Sequence, residues 1–429
     1  MSSTSRVFAK YVSQSVMAMI GISIYILADT FFISLSAGVN GLAILNMTLP
    51  VYGLVFALGA MVGMGHATRY NLQKSAGKES DHLFFRSLIW ALLISIPFIL
   101  LGIFWTRQVL ELMGASPALA AEGESYLRIA LIGAPCFMAN YTFTSFVRND
   151  HAPTTAMVAS LAGSGFNIIF DYIFVFPVGM GMAGAALATV LSPVVTSLIC
   201  CSHLLSPKNQ VGFGLKGLSL RGLASACSLG ISGFVGEISS SVTILVFNFL
   251  ILGLAGETGV AAYGVIANIA LVAMAIFNGV AQGCQPLFSE QYGRGQMDQV
   301  RELRRRALIL SEVVALLIIL AGFVFTDLFI GMFNSQGSQE LVKIARPGMR
   351  IYFLGFALAS INIVVIAYNS AIGKSRPAVV GALLRGAIAI SLFALILSQW
   401  LGMTGIWLSF LASEALTLVV VIFLTNAKR

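Results

Sequence analysis

Long apolar runs recur along the whole chain of 429 residues, and they constrain the fold more than any other feature. A helix needs about 20 mostly apolar residues to cross a bilayer, and lipid permits only helices or closed barrels to span it. Twelve such runs lie near 11–35, 44–68, 84–106, 124–146, 153–176, 182–205, 224–253, 259–283, 307–329, 349–370, 377–399 and 402–425. A content of 58% hydrophobic and 10% charged residues excludes a soluble globular domain. We therefore predict an all-α polytopic membrane protein with twelve transmembrane helices.

The basic residues predict how these helices are oriented. With a cytoplasmic N-terminus, 19 of the 25 Lys and Arg residues fall on the inner side, and Arg385 falls within a span. This asymmetry follows the positive-inside rule, so we expect both termini in the cytoplasm and assign the run Arg304–Arg306 to topology rather than nucleic-acid binding. The first apolar run is too long for a signal peptide, so we expect no cleaved leader. The five cysteines lie in apolar spans without metal-ligand spacing, which predicts free thiols and no cofactor.

Weak internal similarity indicates that the chain is a duplication. Gly41-Leu-Ala corresponds to Gly259-Val-Ala, and Ala76-Gly-Lys corresponds to Arg294-Gly-Gln at the same offset. Six spans in each half would give both halves the same orientation, as in parallel transporter repeats. We therefore predict two pseudo-symmetric six-helix bundles, residues 1–205 and 222–429. A cytoplasmic linker at 206–221 would let them rock against each other.

Acidic residues inside the spans predict a site in the first half. Asp29 and Asp171 each lie six residues before the outer end of a span, and Thr189 lies seven residues after Met182. All three would sit roughly 9–10 Å below the outer surface. Asn167 precedes Asp171 by four residues and so shares its helical face. Two carboxylates, an amide and a hydroxyl suit a proton or a small hard cation such as Na⁺, although a hydrogen-bonded polar plug between helices is an alternative.

The second half lacks counterparts of these two aspartates and has other acidic residues instead. Glu237 and Glu414 lie about twelve to fourteen residues into their spans, near the bilayer midplane, where a carboxylate costs at least about 2.5 kcal/mol. We interpret them as candidates for substrate binding or secondary coupling. Tyr25, Asn248 and Gln282 are further candidates for lining a central cavity, and aromatic faces attract organic cations.

Several of these segments resemble the multidrug and toxic compound extrusion (MATE) family over essentially the whole chain. The resemblance is carried by Ala28-Asp-Thr-Phe-Phe-Ile-Ser, Asn167-Ile-Ile-Phe-Asp, Thr189, Gly236-Glu and Gln285-Pro-Leu with Gln291-Tyr-Gly-Arg-Gly. It implies a V-shaped pair of bundles that exports lipophilic, often cationic compounds in exchange for H⁺ or Na⁺ by alternating access. It also implies that the coupling cation binds at Asp29, Asn167, Asp171 and Thr189. Family branches with an acid in the seventh span carry another in the tenth, which has no carboxylate here.

Two other classes of function stay open at this point. A lipid-linked oligosaccharide flippase of the same broad fold would need a more cationic cavity, for which only Arg385 is available within the spans. An intramembrane enzyme would need a catalytic constellation at depth, and the four histidines lie at span ends or in loops. The expected protein is thus a bacterial inner-membrane exporter, monomeric, with small cationic amphipathic substrates and no nucleic-acid partner.

Overall fold

The computed structural model describes residues 3–214, 218–333 and 338–426, and its helices follow the apolar runs. Within these ranges, eleven single helices and one bent pair are long and apolar enough to cross a membrane. They are α1 (Ser5–Gly38), α2 (Asn40–Ser75), α3 (Leu83–Phe104), α4 (Pro117–Ile132 with Ala134–Asn149), α5 (Pro153–Val175), α6 (Met182–Leu204), α7 (Leu220–Gly256), α8 (Thr258–Gly293), α9 (Met297–Val324), α10 (Gln339–Ala371), α11 (Ser375–Leu401) and α12 (Met403–Thr425). Two short helices, Thr106–Leu112 and Thr326–Phe333, follow α3 and α9. The predicted all-helical membrane fold is confirmed.

Helix α9 illustrates how these apolar sequences choose a buried face. After Leu303 its buried positions are all small residues, among them Ser311, Ala315 and Gly322, whereas Leu316 and Leu320 are more than half exposed. Lipid solvates leucine as well as a protein core does, so helices in a bilayer pack through small residues that allow close approach. The ring of Phe353 on α10 lies directly against Gly322. The large apolar side chains therefore form the lipid-facing surface.

Glycine conformations show the predicted duplication in the backbone. Gly38 (φ 55°, ψ −139°) breaks the chain between α1 and α2, and Gly256 (φ 61°, ψ −159°) breaks it between α7 and α8, 218 residues later. Gly181 and Gly402 precede α6 and α12 with almost identical angles (φ 55°, ψ −132° and φ 57°, ψ −133°). A side chain at such angles would clash with its own backbone, so glycine is required. The two halves share one backbone plan.

The chain divides into two compact units. One comprises Met1–Glu237 with Gly293–Gly295, and the other comprises Ile238–Tyr292 with Gln296–Arg429. Each has its own aromatic core. In the first unit Tyr52 meets Phe137 edge to face at 5.9 Å between ring centroids. In the second unit Tyr352 stacks on Phe410 at 4.3 Å.

The first turns of α7 pack within the first unit. Gly65 on α2 lies against the carbonyl of Ala226, and Gly230 lies against the carbonyl of Met61. Glycine is needed at both crossings because a Cβ would overlap the facing backbone. Glu237, the last residue of the N-terminal segment of this unit, is therefore held by helices of the N-terminal half. The domain boundaries expected from the repeat stay a prediction.

Asp150 attaches the start of the predicted linker to the first unit. This fully buried carboxylate accepts hydrogen bonds from Tyr70 Oη (3.1 Å), Lys74 Nζ (3.2 Å) and the backbone N–H of Gln210 (2.8 Å), and lies 3.0 Å from His203 Nε2. Four partners on one buried charge are strong restraints. Gln210 is thus held against the bundle, and farther along the N–H of Gly214 donates to the Asp81 carbonyl at 3.1 Å. Residues 215–217 of the predicted linker lie outside the described residues, as do residues 1–2 and 427–429 at the termini.

Candidate functional site

The structure brings the four predicted coupling residues together in the first unit. Asn167 Nδ2 donates to Thr189 Oγ1 at 3.3 Å, which joins α5 to α6. The carboxyl groups of Asp29 on α1 and Asp171 on α5 lie close enough to interact electrostatically. Asn167 and Asp171 are fully buried, and Asp29 is 9% exposed. The equal depth derived from the sequence corresponds to direct proximity in the fold.

Small residues let the three helices approach closely enough to form this cluster. Gly21 on α1 faces Leu161 of α5, so α1 and α5 are in contact two turns before Asp29. Gly163 of α5 lies against Thr196 of α6, and Ser192 Oγ donates to the Gly163 carbonyl at 2.9 Å. Tight packing fixes the helix register, and register fixes which side chains meet. The polar residues are therefore positioned by glycines and hydroxyls on the same helices.

The cluster has more acceptors than donors. Asp29 Oδ1, Asn167 Oδ1 and both carboxylate oxygens of Asp171 are buried and receive no hydrogen bond from an N–H or O–H group of the described residues. Buried polar atoms in native proteins almost always have a partner, and an unpaired buried carboxylate is especially costly. Two neighbouring carboxylates also repel each other, and a proton bound by one of them relieves that repulsion. The arrangement is suited to bind a proton or a cation.

The oxygens of the cluster fit a hard monovalent cation better than a transition metal. The set offers two carboxylates, one amide oxygen and one hydroxyl, without nitrogen or sulfur ligands. Within residues 3–214, 218–333 and 338–426, no group of three or more His, Cys, Asp and Glu residues has metal-binding geometry. The site therefore offers only oxygen ligands, which suit a sodium ion, and its two carboxyl groups can also take up a proton.

Glu237 and Tyr25 lie beside this cluster in the first unit. The Tyr25 hydroxyl, one helical turn before Asp29, is within electrostatic range of Asp29, Asp171 and Glu237. Tyr141 Oη on α4 donates to Glu237 Oε1 at 3.1 Å. Tyr141 was missed by sequence reasoning, because nothing near it in the chain distinguishes it from other aromatic residues of the spans. Glu237 is thus a partly exposed carboxylate with Tyr141 as its aromatic neighbour, and this combination suits an organic cation.

Glu414 has a different environment in the second unit. It is fully buried, and Arg385 Nη2 lies 2.8 Å from its Oε1, with Arg385 Nε at 3.1 Å. Asn362 Nδ2 donates to Oε2 at 2.7 Å. The two partners are 29 and 52 residues away in the chain, so their pairing had no signal in the sequence. A carboxylate neutralised in this way has little capacity left for a substrate cation.

Asn248 on α7 and Gln282 on α8 belong to the second unit and are partly exposed, and their part in substrate binding stays a prediction. An open apolar groove of about 450 Å³ also lies in this unit. Its lining residues are Phe249, Leu250, Leu252, Gly253, Leu254, Ser398 and Gln399. None of the residues predicted to bind substrate or ion lines it.

Comparison with known proteins covers nearly the whole chain. The family model described as MatE matches residues 15–173 and 234–395, segments that contain Asp29, Asn167, Asp171 and Glu237. The chain is 26% identical over 400 residues to the multidrug export protein MepA of Staphylococcus aureus strain MSSA476, across 92% of this chain and 87% of the relative. It is also 26% identical over 432 residues to the protein of the same name from Staphylococcus saprophyticus, across 98% and 94% of the two chains.

Solved structures share the fold. An outward-facing multidrug resistance MATE family transporter of the MOP superfamily superposes with a TM-score of 0.91 at 22% identity, over 99% of this chain and 98% of the other. A MATE structure in the straight conformation gives a TM-score of 0.89 at 22% identity over 100% of both chains. The helical plan is thus shared in full, while most side chains differ.

Proposed function

Because the chain belongs to the MatE family, whose members are membrane transporters and not enzymes, we propose that it exports lipophilic, mostly cationic small molecules in exchange for a cation. The cation binds at Asp29, Asn167, Asp171 and Thr189. The relatives that bear the name multidrug export protein support the direction and the breadth of this transport. The protein acts as a monomer in the inner membrane with both termini in the cytoplasm.

One observation carries the proposal: four buried oxygen atoms of Asp29, Asn167 and Asp171 have no donor among the described residues. A structural polar plug would satisfy its own acceptors, because helices in lipid have no water to compensate for unpaired groups. Here the missing partner is a positive charge or a proton. Loading and release of that partner would alter the packing of α1 against α5, which is the local change that alternating access requires.

We favour the proton as the coupling ion. A proton needs only the facing carboxyl groups of Asp29 and Asp171, whereas sodium needs several oxygens converging on one point. Asn167 and Thr189 supply such oxygens, but the amide of Asn167 already donates to Thr189 Oγ1. The Thr189 oxygen is therefore already engaged in a hydrogen bond and is less available as a ligand for sodium. Sodium is the second candidate.

The substrate is attracted by Glu237. Its carboxylate is partly exposed and is oriented by the Tyr141 hydroxyl, with Tyr25 as an aromatic neighbour. In a site of low dielectric constant, one negative charge discriminates strongly between a cation and a neutral compound of the same shape. No such discrimination is expected from Glu414, which is paired with Arg385.

Transport into proteoliposomes tests the proposal. Purified protein is reconstituted, and ethidium accumulation is followed under a pH gradient without sodium and, separately, under a sodium gradient at uniform pH. Accumulation under the pH gradient is the expected result. Accumulation that requires sodium would assign the cluster to Na⁺, and accumulation that needs neither gradient would exclude antiport.

A further inference from the structure

A buried ion pair connects three helices of the second unit. Arg385 on α11 donates to the Glu414 carboxylate on α12 through both Nε and Nη2, and Asn362 on α10 donates to its Oε2 oxygen. The Arg385 side chain is 16% exposed and that of Glu414 only 1%. A buried pair gains little net stability over apolar residues of the same size, because desolvation offsets the attraction. Stability alone therefore does not explain why this ion pair lies at membrane depth.

The backbone around Arg385 is adapted to this pair. Residues Leu384–Ile388 form a turn of π-helix within α11, a geometry that is rare and often found at functional positions. Thr243 Oγ1 on α7 donates to the Gly386 carbonyl at 2.9 Å. Gly386 also lies against Ser239, so α7 approaches α11 closely at this turn. The irregular turn is thus fixed from outside and presents Arg385 to α12.

The two halves differ in how they supply charge to their carboxylates. In the first half, the cluster spans α1, α5 and α6 and lacks donors for Asp29 and Asp171. In the second half, the corresponding α11 and α12 carry Arg385 and Glu414, and the carboxylate has its cation permanently attached. We propose that Arg385 is a tethered counter-ion that keeps Glu414 from binding a transported cation. The second half then contributes no coupling ion, and the stoichiometry is set by the first half alone.

Arginine is suited to this role because its guanidinium stays protonated at any pH a cell reaches. The charge on Glu414 is therefore compensated under all conditions, and no ion is gained or lost there during the cycle. The other ionisable groups nearby do not replace it. Tyr352 on α10 is within electrostatic range of both partners, and Glu312 on α9 accepts a hydrogen bond from Ser360 instead.

Removing the guanidinium should create a new cation site. Arg385→Gln leaves Glu414 buried with Asn362 as its remaining donor, a situation like that of the aspartates in the first half. A buried carboxylate without compensation must take up a proton or a cation. The double variant Arg385→Gln/Glu414→Gln is the matched control, since it removes both charges and leaves no carboxylate to compensate.

Thermal unfolding of the purified full-length protein in detergent measures this directly. Sodium chloride is compared with choline chloride at equal ionic strength, and each is measured over a range of pH. We expect the Tm of Arg385→Gln to rise with sodium or with acidification by more than that of the double variant or the wild type. Equal responses of Arg385→Gln and the double variant would overturn the proposal.

Ion counting in proteoliposomes gives a second, independent readout. The double variant should exchange the same number of ions per substrate as the wild type, and Arg385→Gln should exchange one more. A smaller number for the double variant would show that Glu414 itself carries an ion and would overturn the proposal, even where Arg385→Gln does not fold. The inference rests on the proposed cation coupling. The unfolding assay does not depend on transport. It therefore tests the role of Arg385 even if the wild type proves not to be an antiporter.

Discussion

We expect Asp171→Asn to uncouple export while leaving the fold intact. Asparagine has nearly the same shape as aspartate, and its amide would bring two N–H donors into a cluster where the Asp29 and Asn167 oxygens lack them. The acceptors would then be satisfied from within the protein. Once its acceptors are satisfied, the cluster should no longer bind a proton or a sodium ion. The ion gradient then cannot drive export.

The expected loss of substrate accumulation follows from the number of protons that the cluster exchanges. Exchange of one proton for one monovalent cation accumulates substrate about tenfold per pH unit, equivalent to roughly 1.4 kcal/mol. Two facing carboxyl groups have room for a second proton, which would add about another tenfold per pH unit. Asp171→Asn should therefore reduce accumulation at least tenfold under a gradient of one pH unit, to the level of liposomes without protein.

The assay is ethidium accumulation in proteoliposomes under a fixed pH gradient, with reconstituted protein quantified for each variant. Asp298→Asn is the matched control. It makes the same chemical change at an aspartate whose side chain is 98% exposed at the start of α9, and it should transport like the wild type. Wild-type accumulation by Asp171→Asn would refute the reasoning that the missing donors mark the coupling site.

Three further results are expected. A membrane potential of 100 mV, imposed alone without sodium, should accumulate a monovalent cation about 50-fold if two protons are exchanged, since about 2.3 kcal/mol then acts on one net charge. No accumulation would show a one-for-one exchange. Glu237→Gln should weaken transport of cations more than of neutral compounds, whereas Tyr141→Phe, which keeps the charge, should affect both alike; equal losses in Glu237→Gln would contradict a charge-based role. Asp150→Ala should lower the free energy of unfolding by about 2 kcal/mol or more, because the Tyr70 hydroxyl, the Lys74 ammonium and the Gln210 N–H lose their shared acceptor. A denaturation midpoint like that of Asp298→Ala would contradict this.

The sequence predicts the membrane-spanning helices well because their signal is local and strong. Each span needs a long apolar run, and twelve such runs can be identified directly along the chain. The same is true of the first cluster: Asp29, Asp171 and Thr189 could be assigned one depth by counting residues from the ends of their helices. Counting along a helix places a side chain along the membrane normal, and the fold then needs only to bring the helices together.

Pairings between distant helices could not be predicted in this way. Glu414 and Arg385 were both recognisable as charges within spans, but depth does not tell which face each helix turns toward its neighbour. The hydrogen bond from Tyr141 to Glu237 joins α4 to α7, and no periodicity in either helix signals it. The π-helical turn at Leu384–Ile388 was likewise not predicted, because no pattern in its sequence distinguishes it from an α-helical turn, and its contact with Ser239 of α7 is seen only in the fold.

Gly38 and Gly256 adopt the same uncommon backbone conformation at equivalent positions of the two halves. With six crossings each, a chain of half this length would insert in the same orientation as either half, so two copies of it could assemble as a homodimer. In such a dimer every residue is present twice, and an arginine that silences one acidic site silences both. Fusion into one polypeptide removes that restriction. One copy is then free to keep its acidic residues open to ions while the other closes its own, a division of labour that identical subunits cannot achieve.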